Sequence, residues 1–299
     1  MDCSHLPQSV IAVPPLARNA SGIDIEENRK IIRFLHDGGI RHLLYGGNAV
    51  FYHLTRRELE TSLSMLAQCV PDDTHVVPSI GPTFGHAMDQ IECFRDHAFP
   101  TVMVLPARDV TDVAGVATGL RKLSESLGKP LVVYLKFDGY LDVPHIERLE
   151  RDGVISWIKY AVVRHPAHDD AFLGDLIHAF PKDRIVSGIG EQPAIVHMRD
   201  FGVVGYTSGC VCIDPAASMR MLEHVRSKRY DEAESIREYF EPLEDLRNTF
   251  SPIRVLHHAV EVAGIANTGE MPPLLSSLDD EVLAKIGRAL EGMKASTVG

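Results

Sequence analysis

The sequence predicts an α/β fold, a closed (β/α)8 TIM barrel carrying a C-terminal helical extension. Eight short runs rich in Val, Ile and Leu recur along the chain, each followed by an amphipathic segment, and the runs stop after about residue 228. They span residues 9–17, 40–46, 75–81, 101–106, 131–136, 155–162, 184–190 and 203–209. Most do not alternate polar with apolar side chains. Strands covered on both faces read this way, as in a parallel sheet. An open doubly wound sheet is the rival. It loses support because no Gly-x-Gly-x-x-Gly turn follows the first run and no Walker sequence occurs.

The helices announce themselves by spacing and by caps. Val113, Val116, Leu120, Leu123 and Leu127 keep to one helical face, and Gly128 with Pro130 stops that helix. Asp24 with Glu27, and Thr55 with Glu58, have capping-box spacing. Asp142 precedes the Ile146 and Leu149 stripe, and Asp214 precedes Pro215, as N-caps do. Met219, Met221 and Leu222 read as helix packing. Residues 230–247, 252–263 and 279–293 are expected to form three more helices. The barrel is therefore assigned to residues 1–228 and the packed extension to 229–299.

The 299 residues hold 30 Lys plus Arg against 41 Asp plus Glu, a net charge of −11, with 45% apolar and 24% charged residues. That composition is globular. The acidic balance argues against a nucleic acid partner, which needs clustered positive charge. No run approaches the roughly 18 apolar residues of a membrane helix, and MDCSHLPQSV does not read as a signal peptide. Cys3, Cys69, Cys93, Cys210 and Cys212 are odd in number and lack Cys-x-x-Cys spacing, so they read as small apolar groups in a reducing compartment. The cytoplasm is the expected location.

In a barrel the site forms at the C-terminal ends of the strands, so polar residues interrupting apolar strands are the candidates. Lys159 in ISWIKYAVV stands out, because lysine is almost never fully buried without a reason. Desolvation disfavours its ammonium form, and a neutral amine can attack a ketone and lose water to give an imine. Tyr134 in LVVYLKF is placed to shuttle protons. Lys136 shares the parity of Tyr134, but Phe137, Asp138 and Gly139 follow at once, so a solvated position is expected. Gly46 and Gly47 end the second strand, where backbone N–H groups can approach a carboxylate, helped by the Asn48 amide. His165 and His168 form a His-x-x-His pair. Pro166 is expected to open a helix there and no third ligand has a fixed spacing, so no metal and no cofactor are predicted. His257 and His258 point to different helix faces.

With these residues in place, the chain resembles the dihydrodipicolinate synthase and N-acetylneuraminate lyase family of barrel aldolases and dehydratases acting on 2-keto acids. ISWIKYAVV resembles the Schiff-base strand, which implies the imine on Lys159. LVVYLKFDGYLDVPHIERL resembles the strand of the relay tyrosine, Tyr134. RIVSGIG resembles the glycine strand, with Gly188. FSPIRVLHHAVEVAGI and MPPL resemble the helical extension. Within that family, YGGNAVFYHLTRRE and GYTSGCVCIDP are most similar to the 5-dehydro-4-deoxyglucarate dehydratase branch, which implies substrate contacts at Thr207 and Ser208.

The chain also departs from the family pattern. Thr-Gly-Glu becomes Asn48, Ala49 and Val50. Arg108 stands at the second relay tyrosine, where an anionic part of the substrate becomes its expected partner. Gly139 replaces an arginine that binds a second carboxylate. The resemblance implies a Schiff-base lyase for a keto acid or keto sugar acid, assembled as a homotetramer. Two alternatives remain within this family, a weakened paralogue that binds a sugar acid and a dihydrodipicolinate synthase. A third is a metal aldolase using the His165 and His168 loop.

Overall fold

The computed structural model describes residues 6–295; Cys3 and the first half of MDCSHLPQSV lie outside the described residues. Eight parallel strands close into a barrel: β1 (Ile11–Ala12), β2 (His42–Tyr45), β3 (His75–Ile80), β4 (Met103–Val104), β5 (Leu131–Leu135), β6 (Ile155–Tyr160), β7 (Ile185–Ser187) and β8 (Gly205–Ser208). Neighbours in sequence are neighbours in the sheet, and β1 closes the ring by pairing with both β2 and β8. Every expected strand is present, shorter than its apolar run. A parallel barrel keeps ladder bonds only where strands overlap in register, and the run ends turn away into loops. A two-stranded hairpin of Arg18–Asn19 and Gly22–Ile23 follows β1, just beyond the first run.

The helices follow their caps. Asp24 accepts from the Glu27 N–H at the start of α1 (Ile25–Asp37), although the Glu27 carboxylate turns to Lys30 and Asn267. Thr55 and Glu58 make the full reciprocal box of α2 (Arg56–Cys69). The outer ring continues through α3 (Phe84–Ile91), α4 (Val113–Leu127), α5 (Val143–Arg151), α6 (Ala171–Ala179), the short α7 (Ala194–Val196) and α8 (Pro215–Arg226). Asp112, Asp142, Asp170 and Asp214 cap α4, α5, α6 and α8, each accepting a backbone N–H of the first turn. Gly128, at φ 71°, ends α4 in the left-handed region, where a side chain would be strained. Pro166 does not open a helix as expected. It follows a cis peptide in the loop after β6, and α6 begins only at Ala171, behind its Asp170 cap.

Three helices complete the chain: α9 (Tyr230–Thr249), α10 (Pro252–Val262) and α11 (Asp280–Ala295). Their apolar stripes join the barrel core through Ile236, Phe240, Leu243, Val255, Leu256, Ile286 and Leu290. His257 and His258 are both structural, the first bonded to the Gly269 carbonyl at 2.8 Å and the second accepting the Leu278 N–H at 3.2 Å. Among the described residues no helix is long and apolar enough to cross a membrane.

Candidate active site

The pleat decides which side chains enter the barrel. On β6 the Tyr160 hydroxyl reaches out to Asp170 at 2.6 Å, so Lys159, its neighbour, points to the opposite face. On β5 Tyr134 is the register partner of Lys159. The Lys159 Nζ lies 4.5 Å from the centre of the Tyr134 ring, on its face. Lys159 is 6% exposed and Tyr134 8%. Among the described residues no carboxylate forms an ion pair with this amine. Burial first, then the charges of Lys136 and Arg247, pull the Lys159 amine down to about 7. Burial pushes the Tyr134 phenol well up, so it stays protonated and able to donate.

Gly188, on the adjoining β7 edge, makes room for this lysine. A Cβ there would stand 2.8 Å from Ala161 Cβ and from the Tyr160 carbonyl oxygen, and 2.9 Å from Lys159 Cγ. Its N–H donates to the Tyr160 carbonyl at 2.6 Å, which binds the two strand ends together. Any side chain at Gly188 would displace the lysine stem.

Of the glycine pair after β2, Gly46 is the constrained one. A Cβ on Gly46 would meet Met103 Cε at 2.7 Å and the Ser79 hydroxyl at 2.8 Å. Gly47 lies under Tyr52, whose ring is 3.7 Å from the Cβ it lacks. One Asn48 amide proton is already committed, donated to the Val13 carbonyl at 2.8 Å, which leaves the other for a ligand. On β8, Tyr206 faces outward, its hydroxyl donating to the Ser218 carbonyl of α8 at 2.9 Å. Thr207 therefore faces the barrel interior, buried at 1%. Ser208 shares the outward parity of Tyr206; its hydroxyl accepts the Val211 N–H at 2.9 Å and also bonds the Glu191 carboxylate. It does not join the group around Lys159.

Lys136 is exposed, as its neighbours lead one to expect. Its ammonium lies 5.8 Å from the centre of the Tyr52 ring and 5.9 Å from that of Tyr134. Burial and then the charge of Arg108 lower its affinity for a proton. Arg108 lies over the Phe137 ring at 4.4 Å. Tyr52 was not singled out by sequence reasoning. Burial pushes its phenol up to about 12, and it lies near enough to Tyr134 to influence it electrostatically.

A second buried polar group stands beside the site. Glu244 of α9 accepts the Glu191 and Gln192 backbone N–H groups at 3.2 and 2.9 Å. Arg247 lies 3.9 Å from Glu244 and 3.7 Å from Cys210 Sγ. Ligand atoms of Glu191, Cys210 and Glu244 fall within 4.8 Å of one another, and the Arg247 guanidinium supplies positive charge among them. Burial raises both carboxyl groups, the mutual repulsion of the two adds to it at Glu244, and Arg247 opposes the rise in each. Neither His165 nor His168 belongs to a group of three ligating side chains among the described residues.

Two surface cavities, of about 400 and about 540 Å³, open beside the mouth. The first is lined in part by Phe84, Val110 and Tyr140, the second by His165, Ile189 and Arg237; Lys159 lines neither.

No family model and no curated protein sequence matches the chain. Solved structures do. A dihydrodipicolinate synthase from Oceanobacillus iheyensis superposes with a TM-score of 0.87 at 22% identity, over 99% of this chain and 100% of that one. The fold is that of the dihydrodipicolinate synthases. The enzyme from Bacillus clausii gives 0.85 at 22% identity over 98% and 100%. That from Agrobacterium tumefaciens gives 0.84 at 17% over 98% and 100%. Full coverage of both chains means that the dihydrodipicolinate synthase fold accounts for the barrel and the three terminal helices together.

Proposed function

We propose that the protein is a Schiff-base-forming lyase acting on a 2-keto acid, in the manner of the dihydrodipicolinate synthase and N-acetylneuraminate lyase family. The observation that carries this is Lys159: a buried amine without an acid partner, on the face of a register-paired phenol. An amine with a pKa near neutrality offers a nucleophilic lone pair at physiological pH.

The Lys159 nitrogen adds to the C2 carbonyl, and the carbonyl oxygen takes a proton to give a carbinolamine. Loss of that oxygen as water leaves a protonated imine. The imine draws the electron pair of a broken C–C bond, or of a C–H bond ahead of hydroxide loss, so retro-aldol cleavage and dehydration are both within reach. Tyr134, protonated and adjacent, donates and recovers the proton. Gly46, Gly47 and the free Asn48 amide proton hold the C1 carboxylate, Gly188 keeps the lysine stem in line, and Thr207 contacts a substrate hydroxyl. Ser208 acts from behind, through Glu191. Because the amine is packed inside the barrel, a keto acid reaches it by displacing groups at the mouth, among which Lys136 is exposed. A 5-dehydro-4-deoxyglucarate-like keto sugar acid is the finer assignment of substrate, a homotetramer the assembly and the cytoplasm the compartment.

Borohydride reduction in the presence of pyruvate, 5-dehydro-4-deoxyglucarate and other keto acids tests the reading. Intact mass should rise by one reduced adduct, and peptide mapping should place it on Lys159. Unchanged mass across the panel would refute imine chemistry. Trapping without any product released would mark a binding paralogue, whose relay was lost with the threonine replaced by Asn48.

A further inference from the structure

The mechanism above leaves two cations at the mouth unused. Lys136 lies two residues beyond Tyr134 on the same face, its ammonium among the Tyr52 and Tyr134 rings. Arg108 arrives from the loop after β4 and rests on Phe137, the residue next to Lys136. Among the described residues neither forms an ion pair. The acid nearest to Lys136 in sequence, Asp138, is already bound by Arg164 at 2.9 and 2.6 Å. This is not for want of acids, since the chain carries 41 of them against 30 cations. Two like charges, near enough that Arg108 lowers the proton affinity of Lys136, held against aromatic faces and unneutralised, form a site for an anion from outside.

We infer that Lys136 and Arg108 form a distal anion site, and that the substrate is a short 2-keto acid bearing a second anionic group, carboxylate or phosphate, at the end remote from the ketone. The inference rests on the assignment of the imine to Lys159. The shared ring bounds the geometry: Lys159 and Lys136 lie 4.5 and 5.9 Å from the centre of Tyr134, so the two amines are at most about 10 Å apart, within the span of a small molecule. Gly46 and Gly47 then take the carboxylate next to the ketone, and the cation pair selects for what lies at the other end.

Three probes separate the outcomes: pyruvate as monoanion, 2-oxoglutarate as dicarboxylate, and 2-keto-3-deoxy-6-phosphogluconate as the phosphate-bearing arm. The concentration that half-saturates borohydride trapping at Lys159 is measured for the wild type, Lys136→Met and Arg108→Met. In the wild type at least one dianionic probe should half-saturate at a concentration roughly tenfold or more below that of pyruvate. Because Lys136 also lowers the proton affinity of Lys159, each dianion value is read as a ratio to that of pyruvate in the same variant, and each substitution should raise that ratio roughly tenfold, an effect of about 1.4 kcal/mol. The dianion preference should also fall with added salt. Equal half-saturation by all three probes, or equal weakening of pyruvate in the variants, would overturn the inference and assign these cations to the carboxylate beside the ketone. If no probe is trapped at Lys159 the imine reading fails on its own. The anion site is then decided by thermal shift: a shift with a dianionic probe that vanishes in both variants supports it, and no shift sinks it.

Discussion

Replacing Lys159 by methionine is expected to stabilise the protein at neutral pH while abolishing every imine adduct. An unfolded lysine keeps its ordinary value of 10.5, whereas the folded one is drawn down to about 7 by burial and by the cations of Lys136 and Arg247. The unfolded chain therefore binds the extra proton between those two values, and stability rises with pH across that window. Below pH 7 the full deficit is present; above pH 10.5 it is gone. At 1.36 kcal/mol per pH unit the deficit is on the order of 5 kcal/mol, and methionine, apolar and of similar length, removes it. Urea unfolding midpoints at pH 6.5, 8.5 and 10 should show the variant ahead by most at the lowest pH and level at the highest. A variant less stable than wild type, or a gap that ignores pH, would mean that the amine is solvated or paired in the fold.

The second large effect is expected at Arg247. Removing one partner of a buried charge group costs about 3–5 kcal/mol, because the other charges stay behind unpaired. Arg247→Met would leave Glu191 and Glu244 facing each other in the core, both already raised by burial and held back by Arg247. A carboxyl group whose folded value exceeds its unfolded one contributes stability that is present at low pH and lost as pH rises. The variant should therefore lose more stability at pH 8 than at pH 5, as read from urea midpoints. Equal losses at both pH values would reduce the residue to a packing role. Arg247 is also among the charges that depress Lys159, so the variant should shift upward the pH at which the amine becomes reactive.

Much of this architecture is legible in the sequence because its causes are local or periodic. Strands buried on both faces have to be apolar throughout, and all eight runs are barrel strands. Asp24, Asp142 and Asp214 cap helices because a side-chain oxygen three residues from an orphan N–H needs no tertiary context. Lys159 is legible for the same reason, as a charge placed where a continuous apolar strand has none. What the residues did not reveal depended on what lies across space. Lys136 is exposed, as Phe137, Asp138 and Gly139 imply, but nothing local to it reveals Tyr52, which comes to rest beside it from a different strand end. Glu191 and Glu244 meet although 53 residues apart, across the junction of barrel and extension. Ser208 was expected to touch substrate. The parity of Tyr206, a large phenol suited to a helix-facing position, was the available sign that Ser208 turns away.

The account stands or falls on whether the amine inside the barrel is uncharged often enough to react. The most direct measurement is the pH dependence of the rate of borohydride trapping with pyruvate, with the adduct mapped to Lys159 at each pH. A rate that climbs through a midpoint near 7 and levels off before pH 9 is the predicted result. A rate that keeps climbing towards the pKa of free lysine, or an adduct that maps to Lys136 instead, would contradict it.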